Sequence, residues 1–207
     1  MEHTMETCNM VLLRGELVEL PVFSHENHGR SFDRFTMEVE RLSGVRDTVH
    51  IIAGHSLLEN LNPTAGALVE VEGQVRSYNN RSGEGRRLII TVYATQVRVG
   101  EGEPENRVYL RGRICREPVY RRTPLGREIC DLMLAVDRSY GRRDYVPCIL
   151  WGSLARMAAE LPKGTMLWLW GRIQSRTYIK QLENGSEERM AFEVSAITAD
   201  VEPSDYN

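Results

Sequence analysis

The chain has 207 residues, of which 42% are hydrophobic and 27% are charged, and its formal net charge at pH 7 is −3. This composition is typical of a folded globular protein long enough for two domains, and it argues against intrinsic disorder. No apolar run reaches the length of a membrane span or of a signal-peptide core, so we expect a cytoplasmic protein that does not contact a membrane.

An internal repeat organises the chain and sets its predicted domains. The stretch NMVLLRGEL at Asn9–Leu17 returns as NRVYLRGRI at Asn106–Ile114, and the same offset places Asp47 on Asp144. Further along, GALVEVEGQV matches GTMLWLWGRI. Such a repeat indicates two copies of one structural unit. We therefore predict a flexible N-terminus, a first domain, a Gly- and Glu-rich linker, a second domain and a short C-terminal end, with bounds at 1–8, 9–99, 100–105, 106–201 and 202–207.

Each copy has the pattern of five strands and one helix, which is clearest in the second copy. There the periodicity predicts a helix at 153–161 and strands at roughly 107–116, 128–138, 144–150, 166–176 and 189–201. Leucines and tryptophans alternate in TMLWLWGRI, and Gly171 within that strand indicates a bulge or a sharp coil. Short coiling strands with one helix between the third and the fourth fit a Greek-key barrel of the OB type. The predicted fold class is all-β with short helices, in two tandem OB-fold (five-stranded Greek-key) barrels, although periodicity alone leaves other small barrels open.

The second copy resembles the bacterial single-stranded-DNA-binding protein family along its whole length. The resemblance rests on short motifs in a characteristic order: Arg116-Glu117-Pro118, Arg121-x-Thr123-Pro124-x-Gly126, Leu134-Ala135-Val136-x-Arg138, Trp151-Gly152-x-Leu154-Ala155 and Gly171-Arg172-Ile173. The first copy keeps the same frame, but it has Leu20-Pro21 in place of Glu-Pro and SHENHG in place of the Thr-Pro turn. We interpret it as a diverged copy.

Binding of a single strand without sequence preference needs flat rings that stack on bases and cations that pair with phosphates. The family's stacking positions imply ring contacts from Tyr140, Tyr145, Trp151 and Tyr178. The basic residues that lie among these rings are the predicted phosphate contacts: Arg121, Arg122, Arg127, Arg138, Arg142, Arg143, Arg172, Arg176 and Lys180. Gln174 stands where the family often has an arginine, which predicts a thinner phosphate track on the fourth strand.

The first copy lacks most of these features. Three of its four ring positions hold Ser43, Thr48 and Gly54, and Tyr78 falls near the fourth. Residues 9–99 carry ten basic and eleven acidic side chains, a net charge of −1, whereas residues 106–201 carry sixteen and eleven, a net charge of +5. Because phosphate contacts supply much of the affinity for nucleic acid, we predict that the second barrel holds most of the DNA. The first barrel would then have a mainly structural (architectural) role.

Other interpretations of the same residues stay open. Trp151 ends an apolar strand and is compatible with a core position, and the arginines are compatible with a solvated face. Trp168 and Trp170 point away from the barrel interior, so we expect them to pack against the other barrel or a second subunit, with base stacking as the alternative. The cysteines lack zinc-site spacing, and the sequence has no catalytic motif. We expect reduced thiols, no metal or cofactor, and no enzyme activity.

These features predict sequence-independent binding and protection of single-stranded DNA in replication, recombination or repair, within the nucleoid. RNA stays open as a ligand. Family members with one barrel per chain form tetramers, so two barrels per chain imply a homodimer with four barrels. The chain ends in DVEPSDYN, without the family's acidic tail, so we do not expect tail-mediated recruitment of replication partners. Two alternatives are a helicase accessory factor similar to primosomal replication protein B and a protein-binding OB scaffold without nucleic acid.

Overall fold

Eleven strands of the described residues form one hydrogen-bonded sheet that closes into a barrel in each copy of the repeat. The computed structural model describes residues 8–59, 61, 63–80, 88–182 and 185–202, without the side chains of residues 180–182, 187 and 189. The predicted flexible N-terminus and short C-terminal end lie outside these ranges, apart from residues 8 and 202.

The strands of the first barrel are β1 Asn9–Asn27, β2 Arg30–Glu40, β3 Arg46–Gly54, β4 Leu68–Asn79 and β5 Leu88–Val99. β1 pairs with β2 and β4, β2 pairs with β3, and β5 closes the ring between β3 and β4. The β3–β5 pairing is parallel and the others are antiparallel, which is the order of an OB barrel. The helix predicted for this copy is replaced, in the described residues, by a 3₁₀ turn at His55–Leu57. The sequence after the turn contains Asn60, Asn62 and Pro63, which disfavour a helix interior.

The second barrel repeats this order with β6 Glu105–Ile114, β7 Val119–Arg122, β8 Glu128–Asp137, β9 Arg143–Trp151, α1 Gly152–Ala159, β10 Met166–Leu182 and β11 Gly185–Val201. β6 pairs with β8 and β10, and the β9–β11 pairing is parallel. The predicted fold class, two tandem OB barrels, is confirmed. The sequence pattern does not predict β7, because all four of its residues are exposed and show no apolar alternation.

Each barrel has a bulge in its fourth strand, at the glycine that the two copies share. The register shifts between Glu72 and Gly73 in β4, and between Trp170 and Gly171 in β10. A Cβ atom on Gly73 would lie 2.2 Å from the carbonyl oxygen of Tyr93, and one on Gly171 would lie 2.3 Å from that of Ser195. No side chain fits there, so these glycines let the strands approach closely as the sheet coils. The bulge predicted at Gly171 is confirmed.

The barrel interiors are lined by fully buried aliphatic side chains. Leu13 and Ile51 lie in the first barrel, and Leu110 and Leu134 lie in the second. Cys8, Cys115, Cys130 and Cys148 are all thiols that form no disulfide bond. Cys148 belongs to the core of the second barrel, and its burial raises the pKa of the thiol. A buried thiol of raised pKa holds little thiolate at neutral pH, so Cys148 acts as a small apolar core residue.

The two barrels are joined side by side through their first strands. β1 and β6 pair antiparallel, from Asn9 opposite Leu110 to Arg14 opposite Glu105. This pairing makes a continuous sheet in the order β5-β4-β1-β6-β10-β11. Because the ladder uses backbone hydrogen bonds on both sides, neither first strand is left as an open edge at this junction.

A reciprocal set of hydrogen bonds also ties the barrels together, and we call it the aspartate–serine clasp. In one half, Asp144 accepts the backbone N–H of Ser77 at 2.5 Å, and the Ser77 hydroxyl accepts the N–H of Tyr145 at 2.7 Å. The other half repeats this with Asp47, Ser175 and Thr48, at 3.0 and 2.9 Å. Asp47 and Asp144 are both fully buried. Each half joins one barrel to the other, so the two halves of the clasp are related by pseudo-twofold symmetry and hold the barrels together.

Candidate nucleic-acid interface

Alternation along β9 places Tyr145 and Trp151 on the outer surface of the second barrel. Val146, Cys148 and Leu150 between them point into the core, so the odd-numbered side chains face outward. Tyr145 is 45% exposed. Trp151 is half-buried, and its indole N–H donates to the hydroxyl of Ser195 at 3.1 Å. Trp151 is therefore not a core residue, because its ring lies against β11 outside the barrel.

Tyr178 and Arg176 continue this surface on β10. Ile173 points into the core, so Gln174, Arg176 and Tyr178 share the opposite face of the strand. The Arg176 guanidinium lies 5.8 Å from the centroid of the Tyr178 ring, within the range of a cation–π contact. We call the surface formed by Tyr145, Trp151, Arg176 and Tyr178 the second-barrel face.

An acidic residue that sequence patterns did not identify lies within the second-barrel face. Glu193 is 9% exposed and accepts a hydrogen bond from the amide of buried Gln174 at 2.7 Å. Its carboxylate lies 3.8 Å from the guanidinium of Arg176. Gln174 therefore does not only lack the positive charge of an arginine. Its amide also holds the carboxylate of Glu193 close to Arg176.

The turn between β7 and β8 brings basic side chains to Trp151. Thr123 closes the turn by donating its N–H to the carbonyl of Arg127 at 2.8 Å, and its hydroxyl accepts the N–H of Arg127 at 3.1 Å. Gly126 has a φ of 76°, which favours glycine. Arg122 and Arg127 line a shallow pocket of about 550 Å³ together with Trp151.

The remaining predicted phosphate contacts fall into two groups. Those with an acidic partner are Arg121 with Asp131 at 2.7 Å, Arg122 with half-buried Glu128 at 3.7 Å, and Arg143 with Asp137 at 2.8 Å. The three arginines are themselves exposed, and pairs at the surface contribute at most about 1 kcal/mol, so a phosphate can replace the carboxylate. The second group, Arg127 and Arg142, forms no ion pair with any residue that the structure describes. The side chain of Lys180 lies outside the described set.

Arg138 and Arg172 are placed differently from the sequence prediction. Arg138 forms a two-pronged ion pair with fully buried Asp144 and also donates to the carbonyl of Ser77 at 3.2 Å. Its charge is therefore already paired inside the clasp. Arg172 lies in a groove between the barrels with Arg41, and its Nε is buried without a hydrogen-bond partner in the described residues. Burial and the nearby Arg41 lower the pKa of Arg172. Neither residue is brought to the second-barrel face.

Tyr140 also lies apart from the second-barrel face. It sits in a short turn at Ser139–Gly141, is 100% exposed, and has a φ of 63°. Its ring lines a groove on the first barrel, together with residues that sequence patterns did not identify. There the rings of His25 and Phe32 stack at 5.0 Å and 11°, and Phe32 lies 6.1 Å from Tyr93. The outward alternation of Phe32 and Tyr93 in their strands was the signal that could have revealed them.

Trp168 and Trp170 lie on the outer face of the shared sheet, as their alternation with core leucines predicts. Trp170 is 41% exposed, and its ring centroid lies 4.9 Å from that of Tyr109 on β6. It borders a groove of about 560 Å³ that also contains Met10 and Leu12 of the first barrel. Trp168 lies two residues earlier on the same face of β10 and is half-buried. The two tryptophans thus flank the junction of the barrels on one side.

The described residues contain neither a metal-binding cluster nor a membrane-spanning helix. No group of three or more histidine, cysteine or acidic side chains in these ranges is arranged to hold a metal ion. His55 instead bonds to the carboxylate of Asp33 at 2.6 Å, which raises the pKa of the imidazole. Among the same residues, no helix has the length and apolarity needed to cross a bilayer.

Comparison with known proteins gives a family match for the second barrel. Residues 105–201 match the model of the single-strand binding protein family. The chain is 41% identical over 80 residues to single-stranded DNA-binding protein 2 of Listeria innocua, covering 35% of this chain and 50% of that protein. It is 33% identical over 104 residues to the single-stranded DNA-binding protein of Halalkalibacterium halodurans, covering 47% and 59%. The chain thus spans about half the length of the curated relatives it matches.

A likeness to a solved structure extends over both barrels. The wild-type single-stranded DNA binding protein from Thermus aquaticus superposes with a TM-score of 0.79 at 23% identity. The superposition covers 96% of this chain and 95% of that one. At this identity the likeness shows the fold, including the side-by-side arrangement of two barrels.

Proposed function

We propose that this chain, whose residues 105–201 match the model of the single-strand binding protein family, binds single-stranded DNA without sequence preference. The observation that carries the proposal is the second-barrel face, where exposed or half-buried rings lie beside Arg176 and, at Trp151, beside Arg122 and Arg127. Tyr145, Trp151 and Tyr178 offer flat surfaces to bases, and each stacked base contributes about 1–3 kcal/mol. The relatives named for single-stranded DNA binding support the same ligand.

The proposed contacts revise those predicted from sequence. Stacking residues are Tyr140, Tyr145, Trp151 and Tyr178, and phosphate-binding residues are Arg121, Arg122, Arg127, Arg142, Arg143, Arg176 and Lys180. Arg138 becomes a positioning residue, because it holds Asp144 in the clasp. Arg172 is left out, because its guanidinium is half-buried between the barrels.

The mechanism is sequestration of the strand. Bases stack on the rings, and phosphates replace the carboxylates that pair with the arginines in the free protein. Each phosphate neutralised releases counterions, so the logarithm of the affinity falls with the logarithm of salt concentration by about 0.7 per phosphate. A coated strand is kept from re-annealing and from nucleases, which suits a nucleoid-associated role in replication, recombination or repair.

A homodimer with four barrels completes the proposal. The outer face of the shared sheet exposes 41% of Met10 and 41% of Trp170, next to Tyr109. Apolar side chains grouped on one sheet face favour burial against a second copy. We expect light scattering to give twice the chain mass. We expect Trp170→Glu to shift the protein toward the mass of one chain.

The binding experiment follows the fluorescence anisotropy of labelled oligo(dT) during titration with protein at two salt concentrations. We expect saturable binding that weakens with salt, and a loss of at least about a hundredfold in affinity for Tyr145→Ala combined with Trp151→Ala. Phe23→Ala is the matched control, since Phe23 is 65% exposed on β1, away from the second-barrel face. An intact protein that leaves the anisotropy unchanged would instead be a protein-binding scaffold.

A further inference from the structure

Ser77 of the first barrel is bonded to the second barrel at each of its polar groups. Its backbone N–H donates to Asp144 at 2.5 Å, its carbonyl accepts from Arg138 at 3.2 Å, and its hydroxyl accepts the backbone N–H of Tyr145 at 2.7 Å. The residue belongs to β4 and is only 9% exposed. All three hydrogen bonds cross the junction, so Ser77 acts on the second barrel although it belongs to the first.

The bond to Tyr145 fills a gap in the sheet of the second barrel. β8 borders β9 along its whole length, from Arg143 to Trp151. In the described residues, β11 pairs with β9 only at Cys148 and Ile149. The first residues of β9 therefore have a strand neighbour from their own barrel on one side alone. An unpaired N–H on the other side would favour fraying of this end of the strand. The Ser77 hydroxyl supplies the acceptor.

This support matters for binding because the ring of Tyr145 belongs to the second-barrel face. The ring is 45% exposed, and the chain just before β9 is a turn at Ser139–Gly141 with no buried residue. The direction of a strand side chain is set by the backbone that carries it. A frayed end of β9 would let the ring adopt other directions. Stacking on a base would then include the cost of ordering the ring.

The other half of the clasp has the same bonds but no ring. There Ser175 of β10 donates its N–H to Asp47 at 3.0 Å, and its hydroxyl accepts the N–H of Thr48 at 2.9 Å. Thr48 is the first-barrel equivalent of Tyr145, and it has no flat surface for a base. The two serines are therefore chemically alike, but only Ser77 is bonded to a stacking residue.

We infer that Ser77 is a positioning residue for DNA binding. Through its hydroxyl, the first barrel fixes the end of β9 and holds the ring of Tyr145 in the direction that stacks on a base. This inference rests on the proposed function, because it requires Tyr145 to contact the DNA. Ser77 acts through Tyr145 alone, since it is buried and its hydroxyl is already bonded. One half of the clasp thus joins the barrels, and the other half also orders the binding surface.

The test measures affinity for a labelled oligo(dT) of about 8 nucleotides, a length that a single barrel holds, by fluorescence anisotropy. We expect Ser77→Ala to lower the affinity about fivefold, because binding must then order the ring of Tyr145. Ser175→Ala is the matched control, since it removes the same kind of bond from the other half of the clasp. We expect it to change the affinity by less than about twofold. Both variants should lower the melting temperature by similar amounts.

A double-mutant cycle separates positioning from a general loss of stability. In the Tyr145→Ala background the ring is absent, so we expect Ser77→Ala to cause no further loss of affinity. A merely structural role for Ser77 would lower the affinity equally with and without the ring. Ser77→Thr keeps the hydroxyl and should bind like the wild type.

Hydrogen exchange reports on the bond itself and keeps the test decisive if threonine fits poorly at this buried position. In Ser77→Ala, we expect the backbone amide of Tyr145 to exchange at least about tenfold faster than in the wild type. The amides of Cys148 and Leu150, further along β9, should keep their protection. An unchanged exchange rate at Tyr145 would overturn the inference.

Failure of the inference and failure of the proposed function give different results. If Tyr145→Ala weakens binding and Ser77→Ala does not, the inference is overturned and the proposed function stands. Equal losses of affinity from Ser77→Ala and Ser175→Ala would likewise remove the special role of Ser77. A wild-type protein that does not bind oligo(dT) overturns the proposed function and the inference with it.

Discussion

The backbone N–H of Ser77 in the first barrel donates to the carboxylate of Asp144 in the second at 2.5 Å, and that carboxylate is fully buried. Arg138 and Arg76 approach the same carboxylate from the two barrels. Loss of one partner of a buried ion pair leaves an uncompensated charge, which costs about 3–5 kcal/mol. We therefore expect Asp144→Ala to lower the free energy of unfolding by about 3 kcal/mol or more, as measured by denaturant titration.

Asp137 provides the control for the clasp. Its side chain is 59% exposed and pairs with Arg143 at 2.8 Å. Asp137→Ala should change the free energy of unfolding by less than about 1 kcal/mol. Similar losses from the two variants would contradict the assignment of the clasp as a structural lock.

Tyr140 offers a substitution that separates stability from binding. Its φ of 63° lies in the left-handed region, which costs a tyrosine about 1 kcal/mol and suits asparagine better. Tyr140→Asn should therefore melt at the same temperature or higher, while its affinity for poly(dT) falls about tenfold because a ring is lost. Calorimetry and an anisotropy titration measure the two effects. A fall in both would indicate that the ring contributes to folding.

Glu193 places a negative charge within the second-barrel face. Glu193→Gln keeps a partner for Gln174 and removes the charge, so phosphates should bind Arg176 more readily. We expect affinity for oligo(dT) to rise about fivefold at low salt, which corresponds to about 1 kcal/mol at a partly screened site. The gain should shrink as salt is raised. An unchanged affinity at low salt would place the DNA away from Glu193.

Gly73 and Gly54 form a matched pair for the role of the bulge. An added Cβ on Gly73 would lie 2.2 Å from a backbone oxygen, whereas one on Gly54 has open space. Gly73→Ala should destabilise the protein by roughly 3 kcal/mol, because the strands must separate. Gly54→Ala should change the melting temperature little. If both variants melt alike, the close approach at Gly73 is not a requirement of the barrel.

The His55–Asp33 contact predicts a small pH dependence of stability. The hydrogen bond to Asp33 raises the pKa of His55, so the folded protein holds the proton more tightly than the unfolded chain. The contribution is therefore fully present below the unfolded pKa of histidine, about 6.5. It is lost as pH rises through the raised folded pKa. Melting temperatures of the wild type and His55→Gln should differ at pH 5.5 and converge at pH 9.

Much of the fold was predictable from the repeat. Alignment of the two copies placed Asp47 on Asp144 and Gly73 on Gly171, and these pairs have the same role in each barrel. What the alignment could not show is that each aspartate bonds to the opposite barrel. Contacts between chain segments about 70 to 130 residues apart depend on how the barrels meet, which local patterns do not encode.

The candidate site was predicted in part. Tyr145 and Trp151 were assigned as ring contacts from the family resemblance, with a core position left open for Trp151, and both rings lie on the outer surface of the second barrel. Arg138 was assigned to phosphate by its motif, although an aspartate six residues later in both copies was a signal for an internal pair. Phe32 and Tyr93 were overlooked because equivalent sequence positions were compared, whereas a binding surface can be filled from a neighbouring strand.

The β1–β6 ladder lies within one chain, so the pairing of the two barrels does not depend on protein concentration. A pairing between separate subunits weakens as their concentration falls, but two barrels on one chain meet at a fixed effective concentration. The two barrels of one chain therefore cannot exchange partners or separate when the protein is diluted. Because each first barrel is always paired with a second barrel, the two need not be alike. One can carry an arginine-rich turn and the other a histidine-bearing hairpin, and two like barrels cannot pair in place of two unlike ones at this junction.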